Sequence, residues 1–191
     1  MVDRMFVDFG RWLAGTSWST GLHESFYMFN WLESTHVLTL MLSLGMLFII
    51  DLRMVGLAFK NTPASQLASR LDMPMNIGFG IMIVTGILLF TAIPDRYTQS
   101  VWFRLKLILL VLAFINALVF RRHMNASVST WDKDPVPPKR TRIAGATSLA
   151  LWTLIVICGR FIAYDWYDCG KTENSDFINW AAGCTAEQMS P

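Results

Sequence analysis

Glu33 and His36 stand three positions apart, the spacing that places a carboxylate and an imidazole on one face of a helix. An uncharged run from Ser34 to Ile50 follows Glu33 and ends at Asp51 and Arg53, so His36 is an ionisable group inside a membrane-length apolar segment. It lies roughly 7 Å beyond Trp31 at the helical rise per residue. Lys106 falls four residues beyond Trp102, and Arg160 falls four residues before Tyr164 and six before Trp166. Three cationic or potentially cationic groups therefore share one layer below a set of aromatic markers. Such groups are costly in lipid and are expected to face into a bundle as one cluster with Glu33.

The chemistry such a cluster could do is b-type haem binding. His36 would be the axial ligand to the haem iron, with Lys106 and Arg160 neutralising propionates. Glu33 and Tyr164 would complete the cofactor-binding set, with Trp102, Phe90 and Phe161 walling the ring. Met41, Met82, an open position or a partner subunit would supply the sixth ligand. A quinone pocket or proton transfer through Glu33 and His36 would use the same residues. A metal centre has less to stand on, since Glu-x-x-His offers two ligands. In the plainer reading Glu33 pairs with Arg160 or Lys106, and these charges only fix helix register.

The elements that must position these groups follow from composition. The chain has 191 residues, of which 53% are hydrophobic and 13% aromatic, which suits one integral membrane domain. Uncharged or nearly uncharged runs recur at Met73 to Ile93, Trp102 to Phe120 and Ile143 to Gly159. The expected fold is all-α: a four-helix transmembrane bundle over residues 21–166, with spans near 31–57, 73–93, 102–122 and 143–164. Residues 1–20 carry Val2, Met5, Phe6, Phe9, Trp12 and Leu13 at helical spacing. They read as an amphipathic helix lying in the interface or packing on the bundle, ended by a break at Thr16 to Thr20. A short surface helix is expected over Ala64 to Leu71, with Pro74 opening the second span. Pro94 to Tyr97 reads as a short outer connection that makes the second and third helices antiparallel neighbours, and Ser127, Ser129 and Thr130 add to the loop character of Trp131 to Pro138, which holds three prolines. His123 reads as a solvated loop neighbour of Arg121 and Arg122.

Charge orients the chain. The connections Asp51–Asp72 and Arg121–Arg142 hold nine basic residues against four acidic ones, while the remainder holds seven against ten. The positive-inside rule makes those connections cytoplasmic and both termini periplasmic in a bacterial inner membrane. Arg104, Lys106 and Arg160 then sit at outer helix edges, where they could snorkel. Cys169 and Cys184 fall in the periplasmic tail, residues 167–191, where an oxidising compartment favours a disulfide. No basic cluster is dense or aromatic enough for nucleic acid.

Glu33-Ser34-Thr35-His36, Asp51-Leu52-Arg53-Met54-Val55-Gly56, the stretch Phe103 to Asn116, Ser148 to Trp152 and Gly159 to Tyr164 resemble a family of uncharacterised four-helix bacterial membrane proteins, from about Gly21 to Tyr164. More distantly, the early His, the Asp-Leu-Arg turn and the Lys of the third span are similar to copper-resistance D-type proteins and J-type membrane protoporphyrinogen oxidases, some of which handle haem. That distant likeness implies roles for His36 and Lys106. The expected function is thus a small subunit binding haem b, more a carrier than an enzyme on its own. It would pass electrons between a periplasmic partner and the quinone pool, within the lipid bilayer, beside other redox subunits or as a homo-oligomer. The alternative is a scaffold or accessory subunit whose charges only set packing.

Overall fold

The computed structural model describes residues 2–25, 27–164, 169, 175–184 and 188, with the side chains of 2, 3, 123, 125–127 and 129 outside the description. The depth marker Trp166, the solvation of His123 and much of the tail therefore lie outside the described residues. The described chain is helical, in the order α1 (Val2–Ala14), α2 (Ser17–Glu24), α3 (Met28–Val55), α4 (Ala64–Ala92), α5 (Pro94–Thr98), α6 (Val101–Trp131), α7 (Lys139–Tyr164) and α8 (Asp176–Ala182). Four helices are long and apolar enough to cross a membrane: α3, α4, the Val101–Arg122 part of α6, and α7. Leu38, Met41 and Leu42 on α3, Ile83, Val84 and Ile87 on α4, and Ile108, Val111 and Phe114 on α6 are exposed, the pattern of helices surrounded by hydrocarbon rather than water.

The chain divides into two compact units. A terminal unit comprises residues 1–35, 84–108 and 156–191, and a central unit comprises 36–83 and 109–155. The central unit is built around Ile50, Met54, Ala64 and Trp131, with Leu71, Met75, Phe120, Met124 and Val128 against them. Phe120, Met124, Val128 and Trp131 recur at helical spacing, and this stripe carries α6 through Ser127, Ser129 and Thr130 to Trp131. The loop expected there is helix, because burying Trp131, 3% exposed, outweighs the turn preference of those hydroxyl residues.

The same core corrects the second span. No separate surface helix precedes it: α4 runs unbroken from Ala64 with Pro74 inside. Proline removes one intrahelical hydrogen bond, but the segment before it is held from outside. Ala64 is fully buried, and Asp132 caps the helix start by accepting from the Ser65 amide at 2.7 Å and the Ser65 hydroxyl at 2.7 Å. At the end of α3, Gly56 takes φ +82°, a left-handed conformation that glycine adopts without strain and that stops the helix.

The terminal unit is an aromatic cluster. Phe90 stacks on Phe6 at 6.5 Å and on Phe103 at 5.5 Å, and Tyr97 packs on Phe90 and Phe103 at 6.1 and 5.3 Å. Helix α1 packs on α5 through buried Val7 and through Gly10, where a Cβ would collide with Thr98. Met5, Phe9 and Trp12 of the same helix are exposed. The expected break at Thr16 to Thr20 shrinks to Gly15 and Thr16. Thr16 is the N-cap of α2, its side chain accepting from the Ser19 amide, so the hydroxyl run starts a helix instead of interrupting one. The short connection expected at Pro94 to Tyr97 contains α5, with Pro94 in its first turn.

Candidate functional site

His36 is half-buried on α3 in the central unit, and its carbonyl accepts from the Thr39 hydroxyl at 3.1 Å. Met41 is exposed and Met82 buried. Glu33, three residues before His36 on the same helix, is exposed and belongs to the terminal unit. Among the described residues no three His, Cys, Asp or Glu side chains converge as a metal site would require.

Within the terminal unit, Trp102 stacks on Phe161 at 4.4 Å, which unites two of the expected wall residues. Lys106 is half-buried beside them on α6. Its amine lies 3.5 Å from where a Cβ on Gly159 would stand and interacts electrostatically with buried Cys158. No carboxylate pairs with Lys106 among the described residues.

Arg160 and Glu33 do not join Lys106 in an interior cluster, which corrects the expectation. Arg160 is exposed, donates to the Tyr164 hydroxyl one turn on, and lies 4.2 Å over the Tyr164 ring. A planar guanidinium at i and a ring at i+4 satisfy each other on one helix face, without a partner from elsewhere among the described residues. Glu33 acts electrostatically on Arg96 and Tyr97 of α5, and among the described residues no ion pair joins it to Arg160 or Lys106. Burial pulls the Arg96 guanidinium below its ordinary value, with Tyr97 and Glu33 opposing. Burial pushes the Tyr97 phenol up, with Arg96 opposing and Glu33 reinforcing.

The arginines that organise the chain were not among the candidates. Arg96 donates to the Ile162 and Ala163 carbonyls at 3.1 and 3.3 Å, in the last turn of α7 where carbonyls lack intrahelical partners. Arg104, expected to snorkel, donates to the Thr98 carbonyl at 3.0 Å and to the Ala181 carbonyl of α8 at 2.9 Å, and lies 5.9 Å over Phe6. It thereby ties α1, α5 and α8 together. The Cys169–Cys184 disulfide forms as expected, and Gln99 and Gln188 exchange amide hydrogen bonds at 3.0 and 3.2 Å.

In the central unit, Arg53 is fully buried. Its Nε donates to Thr62 at 2.8 Å and one Nη to the Asp132 and Asp134 carbonyls at 3.2 and 2.9 Å. Asp51, 4% exposed, hydrogen-bonds Ser148 of α7, where Gly145 lets the two helices approach: a Cβ there would stand 3.0 Å from the Met54 Cβ. In the sequence Asp51 and Arg53 mark the polar boundary of the span. The signal that could have found them is their place before Gly56: charges in a last helical turn, followed by a stop, sit where a loop can fold back over them.

The chain belongs to a family of unknown function (DUF6644). The family's model matches residues 19–165, so it takes in His36, the Arg53 clasp, Lys106 and the Arg160–Tyr164 pair, and leaves out α1 and α8. No curated protein and no solved structure matches the chain, and the distant likeness to copper-resistance and oxidase proteins gains no support.

Proposed function

We propose that this is a non-catalytic accessory subunit of an inner-membrane complex, with both termini periplasmic, whose ionisable groups hold its own architecture. The observation that carries the reading is the occupation of those groups. Arg53, Arg96 and Arg104 are bound to backbone carbonyls, Arg160 is bound to its own helix neighbour, and Asp132 caps α4. The orientation rests on the nine-to-four excess of basic residues in the connections around Arg53 and Arg121. Gently solubilised membranes should show the chain in native gels within an assembly well above its own 21.7 kDa. A chain that runs as a monomer in every mild detergent would refute the proposal.

A second reading, a haem b subunit passing electrons between a periplasmic redox partner and the quinone pool, is favoured by two residues. His36 is the histidine inside a candidate span, and Lys106 is an ammonium without an acid partner among the described residues, the kind of group that neutralises a propionate. A bound haem would supply one-electron chemistry. His36 would hold the iron and Lys106 a propionate, whereas Arg160 and Glu33 are engaged elsewhere. In this reading His36→Ala removes the cofactor's absorption while leaving the helices intact.

A further inference from the structure

An open apolar groove of about 580 Å³ runs along the central unit between the end of α3 and α7, lined by Val55, Leu57, Ala146, Leu149, Ala150, Thr153 and Leu154. Its size falls within the range of small-molecule sites. Small residues at Ala146 and Ala150 hollow the α7 wall. The one hydroxyl there, Thr153, donates back to the Leu149 carbonyl at 2.7 Å and leaves the wall without a free donor.

The foot of this groove is basic. Lys139 and Arg142 precede Ala146, Ala150 and Thr153 at helical spacing, so charge and groove share one stripe of α7. Arg142 is fixed there, its Nε donating 3.2 Å to the carbonyl of Val55, a groove residue. The rest of its guanidinium is exposed, as are Lys139 and Arg140. No acidic side chain pairs with any of the three among the described residues, unlike Arg121, which faces Asp72 at 3.4 Å. The first turn of α7 adds the positive end of a 26-residue helix.

We propose that this groove binds an anionic phospholipid of the leaflet at the start of α7, one acyl chain lying along Ala146 to Leu154 and the phosphate held by Arg142 and Lys139. An apolar trough open to hydrocarbon and ending in unpaired cations complements both halves of such a molecule. A neutral partner helix would use the trough and leave the cations idle. The inference does not depend on the proposed function.

The test uses native mass spectrometry of the full chain, delipidated and then offered phosphatidylglycerol or phosphatidylcholine. Phosphatidylglycerol should be retained preferentially. The Lys139→Gln/Arg142→Gln variant, altered at two exposed positions, should weaken that retention about thirtyfold, and Ala150→Leu should reduce binding of both lipids. Inorganic phosphate at matched concentration should not displace the lipid. Equal retention of the two lipids, indifference to the double variant, or displacement by phosphate alone would each overturn the proposal. So would Ala150→Leu altering the oligomeric mass with lipid retention unchanged, because the groove would then belong to a second copy.

Discussion

The central and terminal units both direct guanidinium groups at backbone carbonyls, but for different ends. In the central unit, Arg53 is fully buried and gathers the Thr62, Asp132 and Asp134 carbonyls, which belong to two connections flanking the spans. In the terminal unit, Arg96 and Arg104 are half-buried and bind the last turns of α7 and α8, and a disulfide assists. The clasp lies wholly inside the family's matched region, whereas the terminal clamps also secure α1 and α8, which lie outside it. A cationic residue near a span end thus signals first a place where unpaired helix carbonyls need a donor. A cofactor needs further signs.

The two units should differ most in their response to loss of Arg53. Arg53→Met removes the guanidinium bonds to the Thr62, Asp132 and Asp134 carbonyls, of which that of Asp132 keeps the Ala64 amide as a donor; the loss should cost on the order of 3 kcal/mol and appear as a large fall in melting temperature in detergent. A variant that melts with the wild type would show the clasp to be incidental. In the terminal unit, Cys169→Ser with Cys184→Ser should cost about 3 kcal/mol in the chain-entropy picture. The loss should be local, visible as faster hydrogen exchange in α8 with the central unit unchanged.

Arg104→Gln is the next step down. It removes charged hydrogen bonds to Thr98 and Ala181, worth about 2 kcal/mol, and should raise exchange in both α1 and α8. A change confined to one of them would separate what the clamp is said to join.

The smallest effect is expected at Asp132. Burial alone would raise its carboxyl, but hydrogen bonds from the Ser65 side chain and backbone and from the Ala64 backbone, with the charge of Arg53, bring it below the ordinary carboxylate value. Its folded value is therefore depressed relative to the unfolded one. The stability it contributes is present above the unfolded pKa, roughly 4, and is lost as pH falls through the folded value. Asp132→Ala should cost about 1 kcal/mol as a lost N-cap. Asp132→Asn should keep much of the cap while flattening the acid limb of the melting profile. An unchanged acid limb would mean the carboxylate contributes nothing through its charge.

The four spans were legible because lipid demands long apolar runs, and the chain has four of them. The disulfide was legible because the charge asymmetry of the connections assigns both cysteines to the side where an oxidising compartment is expected. The extension of α6 to Trp131 and the passage of α4 through Pro74 were not, since each local signal for a loop is overridden by burial at Trp131 and Ala64. Arg53 was hidden for a related reason: two of its acceptors lie 79 and 81 residues away, beyond any spacing rule. Arg160 and Glu33 were matched in depth but not in direction. Depth follows from counting residues, whereas direction depends on which neighbour, Tyr164 or Arg96, is already within reach.

The central claim is that these charges serve architecture. Its most direct test is the absorption spectrum of the protein purified from its native membrane, oxidised and then reduced with dithionite. No haem bands are expected in either state, and His36→Ala and Lys106→Met should purify with the helical content of the wild type. A Soret band that shifts on reduction and disappears in His36→Ala would contradict it and establish the haem reading instead.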